Sequence, residues 1–598
     1  MNSLPKREEI DKKYKWNLEN IYQNVDVWEE DFKKISKNIE GIIEYKGTLN
    51  ESADNLLECL KLRDKLMSSC EKLFVYARMK KDENNAVSLY QGLTDRAFNL
   101  YTQCYAATSF IVPEIITIKQ DTLKKYIESS GELKLYQHYF NEILRQKEHV
   151  LSEREEELLA LSSEFSGSAR EIFTMFNNAD IKFPFIKDEE GKEVELTKGR
   201  YIKFLESEDR RVRKDAFTAL YDTYQKYNNS FAAMLSGSIK SDKFYATASK
   251  YNSSLEASLD DDNINTKVYD NLIETVDKNL HHLHRYLNLR KKVLKLDELN
   301  MYDLYVPIVE KPKKDIPYED ALKQVENGLK PLGEEYLKYL NEGFTNGWID
   351  VYENEGKTSG AYSWGAYKTH PYVLLNYQGT VNDVFTLAHE MGHALHTFYT
   401  NKTQHYIYSE YKIFVAEVAS TVNESLLIKY MLNNTKDRME KAYLLNHYLE
   451  QFRATVFRQT MFAEFEKIIH MKYKNGEALT SETLSQVYFD LNKKYFEPEV
   501  TVNKDISIEW ARIPHFYSSF YVYKYATGFS SATAISNMIL NEGNSAVKRY
   551  IEFLKGGCSD YPLELLKKAG VDLSTPKPIQ DTLDAFGRTV DELENILV

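Results

Sequence analysis

Residues 383–398 read DVFTLAHEMGHALHTF and contain the pattern H-E-x-x-H from His389 to His393. Residues four positions apart lie on one face of an α-helix, so His389 and His393 can direct their imidazoles at the same ion. Glu390 lies about 100° further round the helix, which places its carboxylate beside an open position of that ion. The pattern therefore predicts a site for one Zn²⁺ per chain, with Glu390 as a general base.

The residues before this pattern predict where its helix begins. Thr380 followed by Asp383 has the layout of a capping box, with Asp in place of the usual Glu. Gly392 lies inside the predicted helix, where Gly costs about 1 kcal/mol relative to Ala. We therefore expect Gly392 to serve the close approach of another chain or of substrate to the zinc.

A zinc site of this kind needs a third protein ligand. The extended pattern H-E-x-x-H-x-x-G-x-x-H would supply a third His, but this sequence does not contain it. His396 stands at the Gly position of that pattern and Tyr399 at its last His position. Downstream, Glu410, Glu417 and Glu424 recur every seven residues and so lie roughly on one helical face. Glu417 is expected to be buried in the most apolar part of this helix and is the predicted ligand. Glu424 is either an acceptor for a ligand imidazole or a solvated residue, and Glu410 is expected at the surface.

Five blocks of the sequence resemble the thimet oligopeptidase superfamily of zinc peptidases, and most closely its oligoendopeptidase F branch. The blocks are residues 371–377, 383–396, 414–424, 513–517 and 520–528. The resemblance implies that His389, His393 and Glu417 hold the zinc. It also implies a large helical body in two halves around a substrate channel, with short peptides as substrates.

A Tyr-rich segment lies downstream, where His515 is followed by Tyr517, Tyr521, Tyr523 and Tyr525. A hydrolase that forms a tetrahedral oxyanion needs hydrogen-bond donors directed at the developing charge. Because the chain has 44 Tyr residues, ordinary packing is the alternative interpretation. The resemblance implies that a His and Tyr residues of such a segment contact the substrate. We therefore predict His515 and Tyr523 as catalytic residues. Tyr521 and Tyr517 are predicted to bind substrate, and Tyr521 is the second choice for the catalytic Tyr.

Most of the chain is predicted to be helical, with a small β-region beside the zinc-site helix. Apolar residues keep a three–four spacing over long stretches, for example residues 27–43, 52–80 and 87–110. Residues 181–196 are typical of a β-hairpin. We place a boundary there, between an N-terminal helical region, 1–195, and a zinc metallopeptidase catalytic region, 196–598.

An extended region, residues 348–377, precedes the zinc-site helix and is rich in Tyr, Val and Gly. A strand that includes Gly360 and Ala361 could pair with an extended peptide backbone, the mode called β-augmentation. The resemblance implies such a strand, and we predict Gly360 and Ala361 as substrate-binding residues.

The composition argues against several classes of protein. The net charge is −13, whereas non-specific nucleic-acid binding needs a basic surface. No apolar run approaches the ~18 residues of a membrane-spanning helix, and the first residues lack the apolar region of a signal peptide. The four Cys residues are scattered, which favours reduced thiols. We therefore expect a cytoplasmic protein that binds neither nucleic acid nor membrane.

These features together predict a zinc-dependent endopeptidase that hydrolyses short peptides. Glu390 would take a proton from an attacking, zinc-activated water and pass it to the leaving amine. Two alternatives stay open: a helical zinc metallocarboxypeptidase with the same two-His helix, and a catalytically silent peptide-binding protein. The intact Glu390 speaks against the silent protein, because zinc binding alone does not require that residue.

Overall fold

The computed structural model describes residues 4–312 and 315–598, with the backbone alone at residue 153, and most of these residues lie in α-helices. The fold is therefore mainly α, as the sequence predicts. In chain order the helices are α1 (Val25–Ile43), α2 (Ala53–Glu83), α3 (Ser88–Thr108), α4 (Ile111–Thr117), α5 (Gln120–Ser129), α6 (Gln137–Arg145), α7 (Glu153–Ser166), α8 (Ser168–Met175), α9 (Lys198–Leu205), α10 (Arg210–Gln225), α11 (Asn228–Ala248), α12 (Ser254–Asp260) and α13 (Thr266–Lys278). They continue with α14 (Leu280–Val293), α15 (Tyr318–Leu329), α16 (Gly333–Thr345), α17 (Val381–Thr403), α18 (Ile413–Asn434), α19 (Arg438–Phe452), α20 (Arg458–Lys474), α21 (Ser481–Phe496), α22 (Tyr523–Glu542), α23 (Asn544–Leu554), α24 (Pro562–Ala569) and α25 (Lys577–Leu597).

Three small sheets accompany the helices in the described part of the chain. Their strands are β1 (Phe185–Lys187), β2 (Glu193–Glu195), β3 (Leu299–Asn300), β4 (Ile349–Asp350), β5 (Tyr362–Trp364), β6 (Tyr372–Leu374) and β7 (Val500–Thr501). β1 and β2 form the predicted antiparallel hairpin, with Ile186 opposite Val194. In the sheet that precedes α17, β6 pairs parallel to β4 and antiparallel to β5, which is an outer strand. This sheet packs against α17 and is the small β-region that the sequence predicts.

Side-chain caps explain where the first helices begin. The side chain of Asn24 accepts a hydrogen bond from Val27 N at 3.0 Å, and that of Ser52 accepts one from Asn55 N at 3.1 Å. Each cap satisfies a backbone N–H that has no partner within its own helix. The three stretches predicted from apolar spacing correspond to α1, α2 and α3.

Contacts divide the chain into two compact units of discontinuous segments. The first unit comprises Met1–Glu148, Lys314–Met431 and Ile535–Gly570. One of its apolar cores joins α1 to α6 with the sheet around β6. Trp28 belongs to this core and is fully buried, and its indole N–H donates to Leu73 O at 3.0 Å. The metal-site helix α17 belongs to this unit.

The second unit comprises His149–Lys313, Leu432–Ala534 and Val571–Val598. A cluster of aromatic rings joins its last helix to the end of α19 and the residues that follow it. Phe586 of α25 lies 5.5 Å from the ring of Phe452 and 5.1 Å from that of Phe457, between ring centroids. The Tyr-rich segment after His515 belongs to this unit.

The predicted regions 1–195 and 196–598 describe consecutive stretches of the chain, whereas these units interleave segments. That division stays a prediction. Among the described helices, none has both the length and the apolar character that crossing a membrane requires.

Candidate active site and metal centre

Helix α17 begins at the predicted capping box. Thr380 Oγ1 accepts a hydrogen bond from Asp383 N at 3.2 Å, and Asp383 Oδ2 accepts one from Thr380 N at 2.8 Å. Two of the four free N–H groups at the start of the helix are thereby satisfied, and the carboxylate also lies at the positive end of the helix dipole. This start fixes the register in which His389 and His393 share one face.

Three side-chain atoms of the predicted ligands converge on one point. His389 Nε2 lies 3.2 Å from His393 Nε2, and Glu417 Oε2 lies 3.3 Å from the first and 3.4 Å from the second. Zn–N and Zn–O bonds of roughly 2.0–2.1 Å in tetrahedral geometry place two ligand atoms about 3.3 Å apart. The triangle of donors therefore has the dimensions of one face of a tetrahedral zinc site, and its chemistry, two imidazoles and one carboxylate, fits that ion.

Glu424 orients the first of these imidazoles. His389 Nδ1 donates to Glu424 Oε1 at 2.5 Å, which keeps a hydrogen on Nδ1 and directs Nε2 toward the other two ligand atoms. Burial opposes a charge on His389, but Glu417 and Glu424 together raise its pKa to about 10. The pocket therefore favours a positive charge at the point where a metal ion would lie. Of the two readings left open for Glu424, the structure supports the acceptor.

Gly392 brings the two helices of the site together. A Cβ built at this position would lie 2.6 Å from Ser420 Cα and 2.7 Å from Ala419 O, both in the backbone of α18. A close approach is therefore present at Gly392, but the approaching segment is the helix of the same chain that carries Glu417, rather than another chain or substrate. Any larger residue would push α18 away from the two His residues.

The buried side-chain amide of Asn423 strengthens the contact between α17 and α18. Asn423 Nδ2 donates to Ala388 O at 3.0 Å, and its Oδ1 accepts from the hydroxyl of Tyr336 at 2.8 Å. Sequence reasoning missed both residues. The available signal was an Asn within the apolar run of α18, where a buried amide needs partners.

The carboxylates of the site differ in exposure. Glu390 is 7% exposed, and burial raises its pKa. The Glu417 side chain is 42% exposed, so the expectation that it is buried was wrong. It lies on the open side of α18, facing the two imidazoles, while its apolar neighbours fill the core. Glu410 is exposed, as expected.

His396 lies one turn beyond His393 and has a packing role. It is 1% exposed, and its ring stacks on Tyr411 at 3.7 Å between centroids. Burial, followed by the charge of His393, lowers the pKa of His396 to about 3, so the ring is neutral.

The strand predicted to bind substrate begins two residues later than expected. β5 starts at Tyr362, whereas Gly360 has φ +85°, outside the extended region. The carbonyl of Gly360 accepts a hydrogen bond from Asn376 Nδ2 at 2.8 Å. The placement of Gly360 in the strand was therefore wrong, because this residue forms the turn that leads into it. Ala361 lies between the turn and the strand.

In the second unit, His515 lies with two of the Tyr residues. The hydroxyl of Tyr525 is 3.5 Å from His515 Nε2, and the ring of Tyr521 is nearly parallel to the imidazole at 6.2 Å between centroids. All three side chains are partly exposed. They form one cluster of potential hydrogen-bond donors.

Tyr523 and Tyr517 are packed instead. Tyr523 is fully buried, with its ring 5.1 Å from that of Tyr269, and Tyr517 stacks on Phe173 at 4.3 Å. The choice of Tyr523 over Tyr521 is therefore not supported, because α22 begins at Tyr523 and turns that side chain to the core.

A strained turn separates His515 from Tyr521. Phe520 has φ +58°, which is uncommon for a bulky residue. Its N–H donates to Glu466 Oε1 at 2.9 Å, and the hydroxyl of Ser519 donates to Asp242 Oδ2 at 2.5 Å. Two carboxyl groups thus hold the turn, and neither was recognised in the sequence.

Comparison with known proteins shows the family to which this chain belongs. Residues 203–585 match the profile of Peptidase family M3, and residues 114–183 match that of Oligopeptidase F. The chain belongs to peptidase family M3. The predicted boundary at residue 195 falls between the two matched segments of this M3 peptidase.

Relatives of the M3 peptidase are similar over nearly their whole length. Oligopeptidase PepF of Bacillus subtilis (strain 168) is 52% identical, over 100% of this chain and 89% of its own. Group B oligopeptidase PepB of Streptococcus agalactiae serotype III is 41% identical, over 99% and 98%. The crystal structure of oligoendopeptidase-F from Enterococcus faecium has a TM-score of 0.75 at 38% identity, over 95% of this chain and 98% of that one. The resemblance to oligoendopeptidase F is confirmed, and the chain is a peptide-hydrolysing metallopeptidase of this family.

Proposed function

We propose that this M3 peptidase is a zinc-dependent endopeptidase that cleaves short peptides and holds one Zn²⁺ per chain. The observation that carries the proposal is the triangle of His389 Nε2, His393 Nε2 and Glu417 Oε2, with sides of 3.2–3.4 Å. Three protein ligands leave one tetrahedral position open, which is typical of catalytic rather than structural zinc. Glu390 follows the first ligand directly on the same helix.

The residues of the site divide the chemistry between them. Zinc, when bound, supplies Lewis acidity and makes a coordinated water acidic enough to ionise near neutral pH. Glu390 accepts the proton of the attacking water and delivers it to the nitrogen of the leaving amine. Glu424 keeps His389 in the tautomer that binds metal through Nε2.

His515 is proposed to donate a hydrogen bond to the peptide carbonyl as its oxygen becomes negatively charged. We now assign the accompanying Tyr role to Tyr521 and Tyr525, which lie beside His515, in place of Tyr523. The resemblance to the family and the partial exposure of the cluster support this assignment. Tyr517 packs on Phe173, so we limit its proposed role in substrate binding to supporting the cluster around His515.

The outer strand β5 is proposed to pair with the backbone of the peptide substrate. Gly360 forms the turn before β5, and Ala361 links that turn to the strand. Their proposed role in substrate binding is to position the outer edge of β5 for pairing with the peptide. Residence in the cytoplasm is also proposed, because the scattered Cys residues favour reduced thiols.

Mass spectrometry of the cleavage products tests the function directly. A pool of peptides with blocked N- and C-termini is incubated with the protein, with and without a chelator, and after zinc is restored. We expect internal cleavage that the chelator abolishes and zinc restores. A second pool with free termini is tested in parallel. Release of single C-terminal residues from that pool, with no cleavage of the blocked pool, would establish the carboxypeptidase. Absence of any cleavage by the zinc-loaded protein would favour a peptide-binding protein.

A further inference from the structure

A small cavity in the second unit is bounded by charged side chains that the proposed hydrolysis does not use. Its volume is about 20 Å³, which is room for roughly one water-sized particle. Among the described residues that line it are three arginines, Arg453, Arg458 and Arg512, and a single carboxylate, Glu509. The rest of the lining is aromatic or aliphatic.

The first group of charges lies behind Arg453. Glu450 accepts a hydrogen bond from Arg290 Nη1 at 3.2 Å and from Arg453 Nη2 at 2.6 Å. The side chains of Arg290 and Arg453 are only 2% and 6% exposed. Two guanidinium groups thus share one carboxylate, and this group of three carries a net charge of about +1 at neutral pH.

The second group has the same composition. Glu509 Oε1 accepts from Arg458 Nη2 at 2.8 Å and from Arg512 Nη1 at 2.9 Å. Burial would raise the pKa of Glu509, but the two arginines lower it to about 2, so the carboxylate is ionised. Tyr221 and Tyr488 also donate to Glu509, as neutral phenols. This group, too, has a net charge of about +1.

The positive charge of the region extends to a neighbouring amine. Burial lowers the pKa of Lys198 to about 8, and the charge of Arg512 contributes to the shift. Excess charge inside a protein is costly unless a counter-charge compensates it. Two carboxylates, Glu450 and Glu509, offset only half of the four guanidinium groups around this cavity.

We propose that the cavity binds one small monovalent anion, such as a halide, between the Arg453 and the Arg458–Arg512 guanidinium groups. The volume selects a monoatomic ion over phosphate or the carboxylate of a peptide. A quarter of the Arg512 side chain is exposed, which gives such an ion access from solvent. The anion offsets part of the excess positive charge around the cavity and thereby stabilises the fold of the second unit.

Bromide in crystals of the full-length protein locates the ion. Bromide scatters anomalously, and we expect an anomalous difference peak inside the cavity, beside the guanidinium groups. Thermal unfolding supplies a second readout, at constant ionic strength, in sodium chloride and in sodium gluconate, whose anion is too large for the cavity. Because a ligand that binds only the folded state stabilises it, Tm should be higher in 100 mM chloride by about 2 °C or more.

A pair of variants tests whether the effect of chloride on Tm arises at this cavity or elsewhere on the protein. Arg512→Gln removes one positive charge from the lining and should abolish the chloride-dependent rise in Tm. Arg285→Gln is the matched control, because Arg285 lies at the surface of the same unit beside the exposed Asp591, and it should keep the full rise.

Two results would overturn the proposal. One is equal Tm in chloride and gluconate together with no bromide peak in the cavity. The other is a chloride effect of the same size in both variants, because the effect would then arise elsewhere. If Arg512→Gln does not fold, the bromide peak in the native protein decides alone.

Discussion

Glu390 and Glu417 are both glutamates of one site, and their surroundings give them different chemistry. Glu390 is 7% exposed, and burial raises its pKa, which makes it a stronger base than a solvated glutamate. Partial burial raises the pKa of Glu417, but His389 and His393 outweigh this effect and lower the pKa of Glu417 well below its ordinary value. One carboxylate is thus suited to accept a proton, and the other to remain ionised as a metal ligand.

Replacing Glu390 by Gln tests the general base. The variant keeps the size of the side chain and should keep its zinc, because the three proposed ligands are intact. We expect kcat to fall by about 100-fold or more, since a positioned base contributes typically about 100- to 10,000-fold. Turnover of a fluorogenic peptide and metal analysis after dialysis measure the two properties. Glu410→Gln, an exposed change, is the control, and a loss in Glu390→Gln of less than about tenfold would contradict the role.

Three alanine variants, two within α18 and one at Glu410, just before that helix, test the third ligand. Glu417→Ala should lose most of the bound zinc, because it removes one of three protein donors. Glu424→Ala should weaken zinc binding by about 10- to 100-fold, the usual effect of losing a partner of a ligand imidazole. Glu410→Ala should bind zinc normally. Zinc content after dialysis against graded chelator ranks the three, and equal retention in the Glu417 and Glu410 variants would exclude Glu417 as a ligand.

Conservative Tyr variants test the cluster around His515. Tyr525→Phe and Tyr521→Phe remove one hydroxyl each and keep the ring, so kcat should fall by about 100-fold for a donor to the oxyanion, with zinc retained. Tyr523→Phe should leave kcat unchanged, because its ring packs on Tyr269. A higher KM with constant kcat would mean that a hydroxyl only binds the substrate ground state. A loss confined to Tyr523→Phe would reverse the assignment.

The same cluster marks the limit of what sequence alone predicts. Tyr521, Tyr523 and Tyr525 alternate along the chain, and nothing in that pattern distinguishes them. The left-handed turn at Phe520 and the start of α22 at Tyr523 decide which rings face His515. The turn is held by carboxyl groups from other helices, which local patterns do not report.

Helix α17, in contrast, could be predicted because its signals are local in the sequence. Its capping box, its apolar face and the spacing of His389 and His393 are all local, and the structure has each of them. The contact that completes the site is not local. Glycine at position 392 indicated that something approaches closely, but only the structure identifies the backbone of α18.

Gly392→Ala tests how strongly the two helices depend on this contact. The added Cβ would overlap Ser420 Cα and Ala419 O, so the helices must separate. We expect a loss of about 1–3 kcal/mol in the free energy of unfolding, together with weaker zinc binding, because Glu417 moves with α18. Thermal unfolding and zinc titration measure both.

A second glycine provides the control for that variant. Gly92 lies within α3 with open space around a built Cβ, so Gly92→Ala should stabilise the protein by up to about 1 kcal/mol. Zinc binding should stay normal in this variant. Equal effects of the two substitutions would mean that the helix contact does not control the site.

The two compact units could not be predicted from patterns along the chain. In the first unit, Asn17 N donates to Gly347 O at 2.7 Å and Val351 N donates to Tyr14 O at 2.9 Å, each across more than 300 positions. Apolar spacing reports which face of a helix is buried but not which distant segment covers it. The mainly α class followed from that spacing, and the interleaving of segments did not.

Removal of the metal should separate activity from folding. The proposed site contributes three ligand side chains, whereas each unit has its own extensive buried core. Chelation should therefore abolish peptide cleavage while the helical circular dichroism signal at 25 °C stays unchanged, and zinc should restore activity. Tm should fall, because a ligand that binds only the folded protein stabilises it. Loss of the helical signal on chelation would show that the fold itself depends on the metal.

The contact at Gly392 also limits which residues can occupy this position in variants that keep peptidase activity. Every other amino acid carries a Cβ atom and meets the same backbone of α18. In a library that varies this position and is selected for peptide cleavage, we expect only glycine codons to persist, whereas many residues should be recovered at position 92. Peptide cleavage should therefore require glycine at position 392, although this residue neither binds metal nor transfers a proton.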